Sequence, residues 1–565
     1  MNQKNRSMIL IGIFLSMFVI GTILIFTTPS SVKITYGLTT ETEDGVTIVF
    51  NVFEPKTGGT DMKPVIIGHG GMATKEFLKG YAIELANAGF IVVNFDFRAH
   101  GQSGGELNLS LLINDVKVIK QYLSARPDVD ITNLSYIGYS MGGYPGVQIV
   151  KNDTDFKCFI GIGTGLPHAD YLPGYVVPAN SSRRLNVLMI QARFDEGISL
   201  DELKEGMGLR LNMPAADIDV NKLYGTFPDG NASMIYLDDN SDHLLLAWDE
   251  DFIREARDWI SNTFPDVRAV DENFYANLRG LILILQVFGG LGFFFMISTP
   301  LSNFIVNPKK EDIHRIELPD ETVNGLIKKS ILYSFLFGVP GALIVSPVLI
   351  FLPLTIAGLM VTILFSQAFG ILILLWRTGK QAKVSLKAIL KEPFKGSREQ
   401  LLRHIGLGAI LATVLYIILY LSFGLNYIGM APGLSKLPWL PIYFALNVFT
   451  ILVLTALSQL ILQPMLENGH GLLKTAIVVF GVIMIYIATL TTVACIIMGN
   501  YFIIIFLYII TPVSLLTAFV SVVLYQKTGN NIAGTIVNAL YITALMCTLA
   551  PYLFILTNPS FIISM

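Results

Sequence analysis

Cysteine is almost absent: 565 residues carry three, and Cys158, Cys495 and Cys547 stand far apart, two of them inside apolar runs. Neither a disulfide framework nor a cysteine metal cluster can be assembled from them, and they leave the redox compartment unread. Charge is scarce too, at 14% against 53% hydrophobic residues, a balance too apolar for a purely soluble chain. The net charge of -3 gives no basic surface of the kind nucleic acid requires, so no nucleic-acid partner is expected. Internal repeats and low-complexity linkers are also missing.

What charge there is sits unevenly. Acidic residues crowd the stretch from Glu41 to Glu272, and beyond Arg279 charges almost vanish except in short blocks between long apolar runs. That division implies a soluble domain followed by a membrane region. Met8 to Phe26 is uninterrupted by charge and long enough, at about 1.5 Å per residue, to cross a hydrocarbon core of about 30 Å. It reads as an anchor rather than a cleaved signal peptide, because no small-x-small cleavage site follows near Thr27 to Ser31. Further apolar spans are expected near 280–300, 331–351, 354–376, 405–424, 438–462, 475–498, 501–525 and 532–557.

Lys4 and Arg6 precede the first span, which by the positive-inside rule leaves the N-terminus in the cytoplasm and the following domain outside. The blocks Lys309-Lys310 to Lys328-Lys329 and Arg377 to Arg403 fall between alternate spans and come out cytoplasmic under the same rule. The C-terminus, Asn558 to Met565, is then expected outside. The chain thus divides into a transmembrane signal anchor (1–30), an α/β domain (31–266) and an all-α polytopic membrane domain of about eight helices (279–558), placed in a cell membrane.

Within the soluble part, strands and helices alternate, which implies a mainly parallel sheet covered by helices on both faces. An opening hairpin, Lys33 to Thr40 and Val46 to Phe53, flanks the turn Glu43-Asp44-Gly45. Strands are expected at Val65-Ile66-Ile67, Phe90 to Phe95, Leu134 to Gly138, Cys158 to Ile162, Val187 to Gln191 and Ser233 to Leu237. Helices are expected at Glu76 to Ala88, Leu111 to Ser124 and Leu244 to Ser261.

The strongest local signal is Gly138-Tyr139-Ser140-Met141-Gly142 at a strand-to-helix junction. In this G-x-S-x-G pattern the glycines permit a turn so tight that the serine Oγ points into a cleft. The backbone N–H of Met141, at a helix N-terminus, is a candidate oxyanion donor. A second should come from Ile67-Gly68-His69-Gly70-Gly71-Met72, with the N–H of Gly71 first and Met72 second. A serine hydroxyl is a poor nucleophile until a base takes its proton, and the base needs an orienting carboxylate. Asp195 stands just past one strand, with Glu196 as the rival acid, and His243 stands just past the last. Both fall on the sheet edge that carries Ser140, where sites in parallel sheets lie. His69 precedes the serine and reads as a loop-shaping residue, and His168 precedes Asp195 in a Pro/Gly-rich loop, so neither suits the order Ser, acid, His.

Across Lys33 to Phe264 the chain resembles the α/β-hydrolase superfamily, particularly the dienelactone-hydrolase, serine-aminopeptidase and prolyl-oligopeptidase-like branches. The carrying segments are His69-Gly70-Gly71, Asn94 to Ser103, Gly138 to Gly143, Asp195 and Ser241-Asp242-His243. The resemblance implies a Ser140–His243–Asp195 triad and no cofactor. Asp96, Arg98, His100 and Ser103 match a segment that shapes a loop in such proteins, while Ala99 stands where glycine is common. Ser199 to Asn231 is longer than a minimal connection and is a candidate to cover or shape a pocket.

The expected activity is hydrolysis of an ester, thioester or amide bond in a small-molecule, lipid or peptide substrate, with acyl transfer a variant. The alternative is a membrane transport or lipid-handling protein whose hydrolase-like domain only binds a ligand or partner. The C-terminal spans resemble no transporter family, and their apolar cores offer amides such as Gln367, Asn447, Gln459 and Asn538 rather than charges. They read as an anchor in membrane lipid with amides as interhelical hydrogen bonds. Oligomeric state is not legible. The topology has a direct test: a cysteine placed in the 381–397 loop, with Cys158 removed, should stay unreactive to an impermeant thiol reagent in intact cells, and reaction would reverse the orientation.

Overall fold

A computed structural model of the chain describes residues 3–308, 313–318, 321–349, 351–467, 471–499 and 501–553. Lys309-Lys310, the end of the last expected span and the stretch Asn558 to Met565 lie outside the described residues. The chain folds as two compact units, one formed by Thr22–Ile284 with Ser422–Ser435, the other by Met1–Gly21, Leu285–Leu421 and Lys436–Met565.

The first unit is built on an eight-stranded sheet: β1 (Val32–Glu41), β2 (Thr47–Pro55), β3 (Pro64–Gly68), β4 (Ile91–Phe95), β5 (Leu134–Tyr139), β6 (Phe156–Ile162), β7 (Asn186–Phe194) and β8 (Ser233–Asp242). Their order is β1-β2-β4-β3-β5-β6-β7-β8. The first two ladders, β1 on β2 and β2 on β4, are antiparallel, and the remaining ones are parallel. Every residue of β3, β4 and β5 is buried, as strands covered on both faces must be, and this is why they read as continuous Val/Ile-rich runs.

After the N-terminal α1 (Gln3–Thr27), this unit's helices are α2 (Lys79–Asn87), α3 (Leu112–Ser124), α4 (Gly143–Asn152), α5 (Leu200–Leu211) and α6 (Glu250–Thr263). On α6 the apolar residues Phe252, Ile253, Ala256, Trp259 and Ile260 form one buried face, with the 3-4 spacing of an amphipathic helix. This helix starts later than its apolar pattern predicts. Asp242 Oδ1 accepts from the N–H groups of Leu244 and Leu245 and holds Leu245–Ala247 in a tight turn. A fresh cap at Asp249, accepting from Asp251 N–H, then opens the helix.

The long region after β7 divides in two. Ser199 and Glu202 form a capping box that starts α5, and beyond it Asn221 to Tyr224 runs along the outer edge of β8. Asn221 exchanges side-chain hydrogen bonds with the backbone of Leu237, and Tyr224 pairs with Ser233 through both backbone bonds.

Among the described residues, nine helices are long and apolar enough to cross a membrane: Asn5–Thr27, Ala276–Ile305, Val323–Pro347, Ala357–Gln381, Arg398–Gly424, Leu437–Leu466, Leu472–Ile497, Ile505–Thr528 and Ile532–Leu549. The helices outrun their apolar cores. Thr322 caps the third by accepting from Gly325 N–H, so Lys328 and Lys329 lie on a helix rather than in a connecting loop. Three of the four amides singled out from sequence bond across helices: Gln367 to the Val482 carbonyl, Asn447 to Thr543, and Asn538 to Ser521. Gln459 accepts instead from its neighbour Ser458.

Within the sheet-bearing unit, Glu84 of α2 is buried with one oxygen accepting from Tyr275 N–H at 2.7 Å. Burial outweighs that bond and the charges of Arg257 and Arg279, and raises its carboxyl from 4.5 to about 7. Across that window the unfolded chain ionises Glu84 while the folded chain keeps it protonated, so stability falls with rising pH by about 3 kcal/mol in all. Glu84→Gln should therefore raise the unfolding temperature near pH 8 and leave it unchanged near pH 4, as read by thermal unfolding of the full chain in detergent.

Candidate active site

Ser140 stands at the C-terminal end of β5, in the turn that leads into α4, with φ at +50°. A non-glycine residue holds this left-handed conformation only when its surroundings enforce it. Here the enforcement is crowding: a Cβ on Gly142 would lie 2.4 Å from the Gly68 carbonyl oxygen, and one on Gly138 would lie 2.6 Å from that of Gly142. Tyr136 donates its hydroxyl to the Gly142 carbonyl at 2.8 Å and ties the turn to β5.

The sheet brings the two other triad candidates together. Phe194 of β7 pairs with Asp242 of β8, after an irregularity in which β8 advances from Asp238 to Asp242 while β7 advances only from Ala192 to Phe194. Asp195 and His243, each one residue further on, are thereby neighbours. His243 Nδ1 lies 2.9 Å from Asp195 Oδ1 and its Nε2 lies 3.0 Å from Ser140 Oγ. Asp195 Oδ1 also accepts from the N–H groups of Gly197 and Ile198. Both partners are buried, with 0% of the Asp195 side chain and 4% of that of His243 exposed, so their mutual bond is little screened by water. The arrangement can carry a proton from Oγ to Nε2 while the carboxylate fixes the other ring nitrogen as an N–H donor.

The rival candidates are accounted for by what they touch. Glu196 reaches the backbone N–H of His243 rather than its ring, and burial raises its carboxyl. His69 accepts from Phe97 N–H at 3.1 Å through Nε2 and donates through Nδ1 to the Gly70 carbonyl, which shapes the loop after β3. His168 stands 3.7 Å from Glu205 and packs beside Tyr171. Gly70 lies against Tyr139 and Ser140, where a Cβ would meet Ser140 Cβ at 3.1 Å, while Gly71 faces open space. The N–H groups of Gly71 and Met72 have no backbone partner among the described residues. That of Met141 belongs to the first turn of a helix, whose N–H groups have no intrahelical acceptor.

Several contributors carry no sequence signal of their own. Tyr139 donates its hydroxyl to the His243 carbonyl at 2.8 Å, and burial, reinforced by the charges of Asp195, Asp242 and Glu196, pushes that phenol well above its ordinary range. The loop Gly70 to Lys75 is held by a buried knot: Lys75 gives its backbone N–H and its Nζ to the two oxygens of Asp96 at 2.7 and 2.8 Å. Nζ also donates to Gln102 Oε1, and Gln102 N–H returns to Asp96. Burial alone would raise the Asp96 carboxyl, but the Lys75 charge and these hydrogen bonds hold it below its ordinary value. Arg98 spans Asp115 and Asp44, and Ser103 bridges the Asp96 carbonyl to Val49 N–H. Ala99 sits at φ +69°, which explains why glycine is common at that place in similar proteins.

Asp238, Asp249 and Asp251 bring carboxylate oxygens within 4.8 Å of one another, but Asp249 spends its oxygens on Asp251 N–H and Ser241 Oγ. A small, mostly apolar hollow lined by residues such as Val147, Phe159, Leu166, Val177, Val187 and Arg210 shares no lining residue with Ser140, Asp195 or His243.

A mainly parallel sheet with an antiparallel hairpin at one edge, flanked by helices, gives the sheet-bearing unit an α/β-hydrolase fold. Residues 61–221 match the family described as serine aminopeptidase, S33. Two uncharacterised proteins of Mycobacterium tuberculosis are each 29% identical over 109 residues, which is 19% of this chain and 38% of theirs, so the chain spans about two fifths of the length of these curated relatives. Among solved structures, the esterase Pf2001 of Pyrococcus furiosus is 17% identical with a TM-score of 0.33, over 42% of this chain and 94% of that one. An esterase of Exiguobacterium antarcticum is 14% identical with a TM-score of 0.29, over 40% and 99%.

Lys75→Met would leave the Asp96 carboxylate buried without its cation, and should cost about 3–5 kcal/mol of stability. A urea titration of the full chain followed by tryptophan fluorescence reads this, and an unshifted midpoint would remove the pair from the account of the loop.

Proposed function

We propose that the protein is a membrane-anchored serine hydrolase that cleaves an ester, thioester or amide bond through an acyl-Ser140 intermediate. The observation that carries this reading is the continuous contact from Asp195 Oδ1 through the His243 ring to Ser140 Oγ, at 2.9 and 3.0 Å. In the proposed reaction His243 Nε2 takes the hydroxyl proton as Oγ attacks the substrate carbonyl carbon. The oxyanion that forms is met by the N–H groups of Met141 and Gly71, with Met72 beside them. His243 then gives the proton to the leaving alcohol, thiol or amine, and in the second half takes one from water, which hydrolyses the acyl ester and frees Ser140. Asp195 holds the ring in the tautomer this sequence needs and stabilises the imidazolium. An acceptor other than water would turn the same steps into acyl transfer.

Two kinds of support meet here: the match of residues 61–221 to a hydrolase family, and nine helices, among the described residues, long and apolar enough to span a membrane. In this reading the N-terminus is cytoplasmic and the hydrolase unit lies on the outer side of the cell membrane, near lipid, small-molecule or peptide substrates.

The test is fluorophosphonate labelling of membranes that contain wild type, Ser140→Ala or His243→Ala. Labelling is expected in wild type and lost in both variants, and Asp195→Asn should lower the rate about 10⁴-fold by leaving the imidazole in the wrong tautomer. Undiminished labelling of Ser140→Ala would sink the assignment.

A further inference from the structure

The chain between the helices Arg398–Leu419 and Leu440–Leu457 contributes a segment, Ser422–Ser435, that is part of the sheet-bearing unit. It is fastened there at three places. The first is Lys79, the opening residue of α2, which is 1% exposed. Its Nζ donates to the Leu425 carbonyl at 2.8 Å, to Asn426 Oδ1 at 2.9 Å and to the Tyr36 hydroxyl at 2.9 Å, and it lies over the rings of Tyr36 and Phe26. Among the described residues Lys79 forms no salt bridge. Burial, with repulsion from Arg279, draws its ammonium well below the lysine range. A buried ammonium needs every donor satisfied, and the segment supplies two of its three acceptors.

The second place is the loop behind the proposed oxyanion donors. Gly429, at φ +71°, is seated so close to Thr74 that a Cβ would lie 2.6 Å from Thr74 Oγ1. Gly433 donates to the Gly101 carbonyl at 2.9 Å, and a Cβ on it would lie 2.8 Å from the Gln102 carbonyl oxygen. Thr74 adjoins Lys75, one end of the Lys75–Asp96–Gln102 knot, and Gln102 is the other end. The third place is aromatic. Tyr427 meets Trp248 edge-on at 6.3 Å, Trp248 packs on Phe77 at 4.8 Å, and Phe77 packs on Tyr139 at 5.5 Å, the residue whose hydroxyl holds the His243 carbonyl.

We propose that Ser422–Ser435 is a brace for the reaction centre, and that Gly429 and Lys79 are positioning residues that hold the loop Gly70–Thr74, and with it the Gly71 N–H, where the oxyanion develops. The proposal rests on the serine-hydrolase reading above. It gives the C-terminal helices a role beyond anchoring, because the hydrolase site is incomplete without the segment they deliver.

The test uses the full chain in detergent, with p-nitrophenyl butyrate turnover and hydrogen–deuterium exchange measured on wild type, Gly429→Ala, Gly429→Ala/Thr74→Gly and Lys79→Met. Gly429→Ala should lower kcat about 10- to 100-fold, the cost of misplacing a single oxyanion donor, with KM within about twofold because substrate binding is untouched. Exchange should quicken at residues 70–78 and stay unchanged in β3 to β7, and the added Thr74→Gly, which clears the space but leaves the left-handed strain at position 429, should recover part of the loss. Lys79→Met should act in the same direction by releasing the segment's other end. An unchanged kcat, or slowed turnover with exchange quickened across the whole sheet, would overturn the brace. If wild type neither turns over the ester nor takes the fluorophosphonate label, the hydrolase reading fails by itself, and exchange at 70–78 in Gly429→Ala still decides whether the segment holds that loop.

Discussion

The turn that carries Ser140 is wedged between backbones with no space for a side chain. Gly142 abuts the carbonyls of Gly68 and His69, and Gly138 abuts Gly142. Two neighbouring parallel strands, β3 and β5, must therefore end at the same level, as their pairing from Val65–Ser135 to Gly68–Gly138 ensures. Once that level is set, the loop after β3 and the turn after β5 face each other, with Gly70 lying against Ser140. A left-handed serine costs of order 1–3 kcal/mol, and the crowded backbone held on these fully buried strands is what keeps it there.

The polar parts of the site are arranged so that charge is bound by structure rather than by solvent. Asp195 receives two backbone N–H groups besides the histidine, and Asp96 receives two backbone N–H groups and one ammonium. Both oxygens of Asp96 and Oδ1 of Asp195 are thus committed before any ligand arrives, which is the condition for donors and acceptors that need no rearrangement during a reaction. The same logic governs Lys79, with neutral acceptors in place of carboxylates.

Much of this was legible in the sequence because it depends on short-range pattern. The opening hairpin turn lies where Glu43-Asp44-Gly45 placed it, with Gly45 at φ +79°. Ser140, Asp195 and His243 were found because each directly follows an apolar strand, and the structure brings all three into contact. What stayed hidden depends on distant contacts. The late start of α6 follows from side-chain caps that outrank apolar spacing. Strand β8 runs to Asp242, well past Leu237, because its polar end is paired with β7. Ser422–Ser435 lies at the end of and beyond an apolar span, and nothing in its composition marks the lysine hundreds of residues earlier that binds it. Gly429 and Gly433, together in a stretch with few charges, were the one available hint of close backbone approach.

The strip from Asn221 to Tyr224 beside β8 has a bearing on how such a chain survives its own synthesis. In the sheet, β8 has β7 on one side and no main strand on the other. An uncovered row of N–H and C=O groups there would be a template for pairing with another chain. Asn221 and Tyr224 occupy that row at Ser233, Ile235 and Leu237, so the edge nearest His243 is already sealed. The extra length of this connection thus works as protection against edge-to-edge aggregation.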